Sequence, residues 1–379
     1  MSADADPQPL LTAESGQPLL AAESGQPLLA VDSSRPVGAA HRSVRPPHLG
    51  GFQRGRTYGA LDLGTNNCRL LIARPSFEGF VVVDAYSRVV KLGEGLMDSG
   101  RLSEAAMDRT IAALEACASK LSRRDVRLTR NVATEACRRA ANGPRFIERV
   151  FAETGIALDV VSAAEEARLA VMGCHMLIDC AGPPALVFDI GGGSSEVMLV
   201  TSGTDGEAPT ILEWVSLPWG VVSLAETELM ALAAAERAPA YQRMLGKIAP
   251  MLDAFALRVA AHGVGEVQLL GTSGTITTLA SVELGLDGYD RRRVDGCAVA
   301  VAPLLDLCRE ISGQSVQERA RIPCIGMDRA ELIVAGCAIL EAVMCRWVSV
   351  DGLVRVADRG IREGILRTLM SRDGAWSGA

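Results

Sequence analysis

From Arg56 onward, short apolar runs alternate with polar turns. Tyr58–Leu61, Arg69–Ala73, Phe80–Asp84 and Arg88–Lys91 each predict a strand, and the turn DLGTNN separates the first two. Ser103 predicts a plain helix N-cap, because no Glu follows at the third position. Apolar residues then recur at helical spacing to about Leu121. A strand is expected over Val126–Val132, a helix from Gly143-Pro144 to Glu153, a strand over Leu158–Val161, and a helix from Ala163 to about Cys180. This is an α/β pattern with an antiparallel start. Gly182-Pro183-Pro184 marks a boundary, and after it the pattern begins again. Strands Ala185–Phe188 and Val197–Val200 flank the turn DIGGGSSE. A helical stretch to about Ala261, strand Val267–Leu270, the turn GTSGT and a helix from Thr275 follow. The chain closes with a strand near Cys297–Val301, helices Leu304–Ile311 and Asp328–Met344, strand Val350–Val356 and helix Arg359–Met370.

The segment before this pattern reads differently. A nine-residue unit repeats three times, as QPLLTAESG from Gln8, QPLLAAESG from Gln17 and QPLLAVDSS from Gln26. No copy carries enough apolar area to offset ordering, so residues 1–55 are expected to form a disordered tail. The rival reading is a short linear motif, the Pro-Leu-Leu triplets, docking on a partner.

Composition narrows the function classes. The net charge of −7 gives no basic coat for nucleic acid. No apolar run approaches the roughly 18 residues of a membrane span, and the N-terminus lacks the basic and apolar regions of a signal peptide. The 10 cysteines include no C-x-x-C and no zinc spacing. Buried, reduced thiols and a cytoplasmic location are therefore expected. Lysine occurs only at Lys91, Lys120 and Lys247; a compositional bias toward arginine accounts for this, and because the guanidinium fork suits phosphate, individual arginines stay in play.

The unit strand, Asp-x-Gly turn, strand occurs twice, at Asp62 and Asp189, which are 189 − 62 = 127 residues apart. Glycine lets the backbone approach a phosphate and present N–H groups as an anion nest. The hydroxyls of Thr65, Ser194 and Ser195 and the amide of Asn66 add donors. Asp62 and Asp189, at strand ends, can hold a divalent cation or its waters. The Walker pattern is absent, and no lysine stands near either loop. In GTSGT, Gly271, Ser273 and Gly274 suit phosphate or ribose equally. Glu165 and Glu166 open a helix whose dipole lowers a carboxylate pKa, while nearby phosphate charge raises it.

Two such facing loops resemble the actin, sugar-kinase and heat-shock ATPase superfamily. The spelling resembles one branch, the exopolyphosphatase/guanosine pentaphosphate phosphohydrolase (Ppx/GppA) family. The matching stretches are ALDLGTNNCRLLIA at Ala60–Ala73, VATEACRRAANG at Val132–Gly143 and SAAEEARLAVMG at Ser162–Gly173. They continue with VFDIGGGSSEVMLV at Val187–Val200, LPWGVVSL at Leu217–Leu224, GTSGTITTLA at Gly271–Ala280 and RGIREGIL at Arg359–Leu366. The resemblance implies two actin-like (ribonuclease H-like) domains with a phosphate-binding cleft between them. Residues 56–181 would form the first domain and 182–379 the second, with the helix at about 359–370 a candidate to pack back on the first. It implies that Glu166 activates the attacking water and that Arg138 contacts the departing phosphoryl group. Gly64, Thr65 and Asn66 match the first phosphate loop, and Gly191, Gly192, Gly193 and Ser194 the second. Asp189 and Glu196 match carboxylates associated with Mg²⁺. Asn67 departs from the Ser-Asn-Ser spelling frequent in the first loop.

The expected activity is hydrolysis of terminal phosphoanhydride bonds. Polyphosphate is the leading substrate and guanosine pentaphosphate the second. A non-catalytic alarmone-binding regulator and a sugar- or acetate-type kinase are the rivals. A homodimer is one way to build a longer basic groove. Long family members carry extra C-terminal helical domains, whereas this chain ends at Ala379, so weak processivity is expected.

Overall fold

The computed structural model describes residues 56–77, 79–203, 208–229 and 233–375. The expected tail and its repeats lie outside the described residues. Among the described residues, eleven strands form two sheets. The first holds β1 (Tyr58–Leu63), β2 (Asn67–Ser76), β3 (Gly79–Val89), β4 (Leu128–Ala133) and β5 (Asp159–Val160), in the order β3-β2-β1-β4-β5. The second holds β6 (Ala185–Ile190), β7 (Ser195–Thr201), β8 (Thr210–Leu217), β9 (Glu266–Thr272), β10 (Ala298–Ala300) and β11 (Val348–Ala357). Its order is β10-β11-β9-β6-β7-β8.

The same sheet is thus built twice. In each, a three-strand antiparallel meander comes first, and its first strand then pairs in parallel with a later one: β1 with β4, β6 with β9. This is the expected two-domain actin-like fold. Central strand β6, ALVFDI, is buried at every position, which explains a continuous apolar run where an edge strand alternates. The register pairs Asp62 with Arg69 across the first hairpin and Asp189 with Glu196 across the second.

Several elements differ from expectation. Phe80–Asp84 and the Arg88–Val89 start of the next run belong to one 11-residue edge strand, β3, which ends before Val90 and exposes Val81, Val82, Ser87 and Arg88. The helix from Ala163 stops at Cys174, and a single 3₁₀ turn follows over His175–Leu177. The Asp328–Met344 stretch divides into Gly326–Ala330 and Ile333–Met344, the second buried at every residue. Strand β8 and helix Val221–Glu228 have no counterpart in the pattern reading.

Helix Ile361–Arg372 follows β11 of the second sheet but packs under the first. Its Ile365, Leu366 and Met370 share a core with Tyr58, Ala60 and Leu71 of β1 and β2 and with Leu169 of helix Ala163–Cys174. The Arg56 guanidinium and the Tyr58 hydroxyl both donate to Asp373 Oδ2, each at 2.5 Å, pinning β1 to the end of that helix. At Gly173 an added Cβ would collide with the Gly360 carbonyl, so glycine is what lets the two segments touch. Among the described residues no helix is long and apolar enough to cross a membrane.

Candidate active site

The two Asp-x-Gly hairpins face each other across a cavity of about 290 Å³. Asp62, Gly64, Thr65 and Asn66 line it from one side, and Asp189, Gly191, Gly192, Gly193 and Ser194 from the other. Ser273, Gly274 and Glu166 complete the wall. The loops meet directly. A Cβ on Gly193 would lie 2.5 Å from Thr65 Oγ1 and 2.9 Å from Glu135 Cγ, so no side chain fits there. The second loop rests on the LPWG segment, with the Val221 and Val222 amides donating to the Gly191 and Gly192 carbonyls at 3.0 and 2.8 Å.

Helix Ala163–Cys174 delivers Glu166. Ser162 caps it, its hydroxyl accepting from the Glu165 amide at 3.2 Å. The adjacent glutamates diverge. Glu165 turns outward and pairs with Arg130 at 2.7 Å and Arg168 at 2.6 Å. Glu166 turns inward and is 7% exposed. Burial pushes its carboxyl well above the usual carboxylate range, and the charge of Glu196 adds to the effect. Arg138 opposes the rise, and Asp189 and Asp62 reinforce it.

Arg138, rather than its neighbour Arg139, reaches Glu166. Its Nη1 and Nη2 both donate to Glu166 Oε2 at 3.2 Å. Its Nε and Nη2 donate to Glu135 Oε2 at 3.1 and 2.6 Å, and Nη1 also donates to the Val161 carbonyl at 2.7 Å. The guanidinium is not among the residues that line the cavity, and it donates to protein acceptors beside Glu166. Gly271 stands apart too. It lies on β9, where an added Cβ would collide with the Phe188 ring, and it does not line the cavity. Glu196 likewise stays outside, with Oε1 accepting from the Ser216 hydroxyl at 2.8 Å.

The cations that do line the cavity are Arg69, Arg329, Arg359 and Arg362, none of them singled out by the motifs. Arg359 is committed to Asp295 at 2.8 Å. Arg69 had a signal in the sequence. It follows Asp62 by 69 − 62 = 7 positions, as Glu196 follows Asp189 by 196 − 189 = 7. Glu135 also lines the cavity and was likewise not anticipated.

Buried carboxylates gather at the two loops. Burial raises the Asp189 carboxyl to about 6, with the Asp62 charge adding to it and Arg69 and the Ser273 hydroxyl opposing. Burial and the charge of Asp189 raise Glu196 to about 7. Burial also raises Asp62, against the pull of Arg69 and Arg362. Among the described residues no three His, Cys, Asp or Glu side chains are placed to hold a metal unaided. An ion such as Mg²⁺, which keeps waters and phosphate oxygens beside one or two carboxylates, fits Asp62 and Asp189. Thr65 Oγ1 and Asn66 Oδ1 are buried without a protein partner, which leaves both free for a ligand. Ser273 holds φ 82° and ψ −177°, a region costly for any residue but glycine, and such strain collects at functional sites.

A relative named Exopolyphosphatase 2, from Mycobacterium tuberculosis, is 30% identical over 325 residues, covering 82% of this chain and 97% of that protein. The crystal structure of an exopolyphosphatase from Cytophaga hutchinsonii shares the fold, with a TM-score of 0.73 at 24% identity, over 86% of this chain and all of that one. The crystal structure of the Aquifex aeolicus member of the Ppx/GppA protein family superposes with a TM-score of 0.66 at 26% identity, over 84% of this chain and 98% of that one. Residues 71–373 match the Ppx/GppA phosphatase family, and the chain belongs to it.

Proposed function

We propose that the chain is an exopolyphosphatase, removing orthophosphate from the end of inorganic polyphosphate. The observation that carries this reading is one buried carboxylate, Glu166, facing a cavity walled by two glycine loops and by arginines. The loop amides with Thr65, Asn66 and Ser194 hold the terminal phosphates. Glu166 Oε2 is tied to Arg138, which leaves Oε1 for a water. Its raised pKa makes it a stronger base than an ordinary carboxylate. It takes the water's proton as the oxygen attacks phosphorus in line. The bond to the bridging oxygen breaks, and that oxygen keeps the electron pair. Arg69 and Arg329 offset the charge on the phosphate oxygens. Asp62 and Asp189 would hold Mg²⁺, which would supply further neutralisation of phosphate charge.

The test is orthophosphate release from long polyphosphate, tripolyphosphate and guanosine pentaphosphate side by side. Polyphosphate is expected to be the best substrate. A clear preference for guanosine pentaphosphate would transfer the assignment to the nucleotide, and tight nucleotide binding without release would make the protein a regulator. Glu166→Gln is expected to lose on the order of 10²–10⁴ in rate while still binding polyphosphate. Near wild-type turnover by that variant would remove Glu166 from the mechanism.

A further inference from the structure

A trans peptide points its carbonyl and the following N–H in opposite directions, so fixing a carbonyl fixes where the next amide aims. Three consecutive carbonyls of the second phosphate loop are fixed by three consecutive residues that open helix Val221–Glu228. The Val221 amide donates to the Gly191 carbonyl at 3.0 Å and the Val222 amide to the Gly192 carbonyl at 2.8 Å. The Ser223 hydroxyl donates to the Gly193 carbonyl at 3.3 Å. The amides that follow these carbonyls belong to Gly192, Gly193 and Ser194, and all three residues line the active-site cavity. Held from behind, the three N–H groups turn away from the helix together, as in an anion nest.

Val221 and Val222 act through their backbone, whereas Ser223 acts through its side chain. Ser223 is 4% exposed and does not line the active-site cavity. Its hydroxyl accepts from the Gly220 amide at 2.9 Å and has one proton to give. Two carbonyls are within reach, Gly220 at 3.2 Å and Gly193 at 3.3 Å. The Gly220 carbonyl already accepts from the Leu224 amide at 3.0 Å. Gly193 is buried, and among the described residues Ser223 is the one donor to its carbonyl. An unpaired buried carbonyl is costly, so the proton goes to Gly193.

The helix that carries Ser223 is itself braced. Gly220 admits it to the loop, because a Cβ there would lie 2.4 Å from the Gly192 carbonyl oxygen. At its far end Glu228, also buried, pairs with Lys247 at 2.5 Å and Arg243 at 2.7 Å, both on helix Arg237–Ala261. Lys247 also stands 5.2 Å over the Trp219 ring, and the Trp219 carbonyl accepts from the Ser195 hydroxyl at 2.9 Å.

We infer that Ser223 is a positioning residue, acting through the Gly193 carbonyl to aim the Ser194 amide at a phosphate of the substrate. This rests on the reading of the loop as a phosphate holder.

The experiment titrates tripolyphosphate with Mg²⁺ into Glu166→Gln, a background chosen to slow turnover, alone and with Ser223→Ala, Ser223→Thr or Tyr241→Phe added. Alanine is the better helix former, so the Ser223→Ala chain is expected to fold. Its Kd is expected to rise about tenfold, the scale of one charge-assisted hydrogen bond lost. Ser223→Thr keeps a hydroxyl and is expected to recover most of the affinity. Tyr241→Phe removes a buried hydrogen bond to Glu341, at 2.6 Å, elsewhere in the core of the second sheet. It is expected to lower the melting temperature and leave the Kd where it is. An unchanged Kd in Ser223→Ala, equal weakening in Ser223→Ala and Ser223→Thr, or an equal rise in Tyr241→Phe overturns the role of Ser223. Absence of binding in the background chain overturns the reading of the loop, and Ser223 with it. Binding with the expected ratios, but no orthophosphate release from any polyphosphate by wild type, overturns the proposed function and leaves the role of Ser223 standing.

Discussion

Glu165 and Glu166 are chemically identical neighbours, and the protein makes one a surface ion pair and the other a buried acid. One step along a helix turns a side chain by about 100°. That step carries Glu165 to Arg130 and Arg168, and Glu166 to the cavity. Burial then fixes when the interior acids ionise. Asp189 rises from 3.8 to about 6 and Glu196 from 4.5 to about 7. Both pKa values are raised on folding, so the folded state holds these protons more tightly than the unfolded chain. The stability they contribute is full below about pH 4 and is lost as pH rises through about 6 to 7. Without divalent cations, the wild-type melting temperature is therefore expected to fall over that window more than that of Asp189→Asn. Parallel melting curves would show that Asp189 titrates as an ordinary carboxyl. A second expectation concerns Glu135, which holds Arg138 through Nε and through the Nη2 that also reaches Glu166. Glu135→Gln should lower kcat while KM moves little, with Glu135→Asp recovering part of the loss, because Glu135 positions the base's partner. A change confined to KM would make Glu135 a binding residue. The sequence named Glu166 through its motif, but it could not say that Arg138 serves Glu166 while Arg69, Arg329 and Arg362 face the cavity. Those three come from β2, from helix Gly326–Ala330 and from helix Ile361–Arg372, and only folding brings them together.

Elements were legible where one signal dominated. The hairpins around DLGTNN and DIGGGSSE and the Ser103 cap are local, so they stand where the pattern puts them. Strand β3 was read as two because its Asp84, Ala85 and Ser87 break the apolar run, yet an edge strand exposes one side and tolerates them. The stretch before Met344 reads as one helix because Ile333–Met344 is apolar at every position but Glu341 and buried throughout, which hides the break before it. The contact between helix Ala163–Cys174 and the segment entering helix Ile361–Arg372 carries its own test. Gly173→Ala would force a methyl group against the Gly360 carbonyl. Overpacking of this kind costs about 1–3 kcal/mol. A fall in denaturant midpoint is expected, together with reduced activity, since Glu166 rides on the same helix. A variant as stable as wild type would show that the helices separate without cost.

At the scale of the molecule, the cleft depends on two loops that touch. Gly193→Ala would press its methyl group on Thr65 Oγ1 and Glu135, spreading the loops. Loss of most orthophosphate release is expected from that single carbon. Tripolyphosphate with Mg²⁺, at about 100 times its Kd, should stabilise wild type by about 2.7 kcal/mol. The variant should show a much smaller thermal shift, and an equal shift would mean that the loops do not clasp the ligand together. Duplication has one further consequence. A chain of phosphates looks alike from either end, and a slot made from two copies of one sheet would accept it in either sense. The lining breaks that degeneracy, because the first hairpin brings Arg69 to the slot while the matching Glu196 of the second stays outside it. Negative charge gathers around Glu166, and positive charge gathers along Arg69 and Arg329. The slot therefore has a head and a tail, and a substrate without a direction of its own acquires one on entering it.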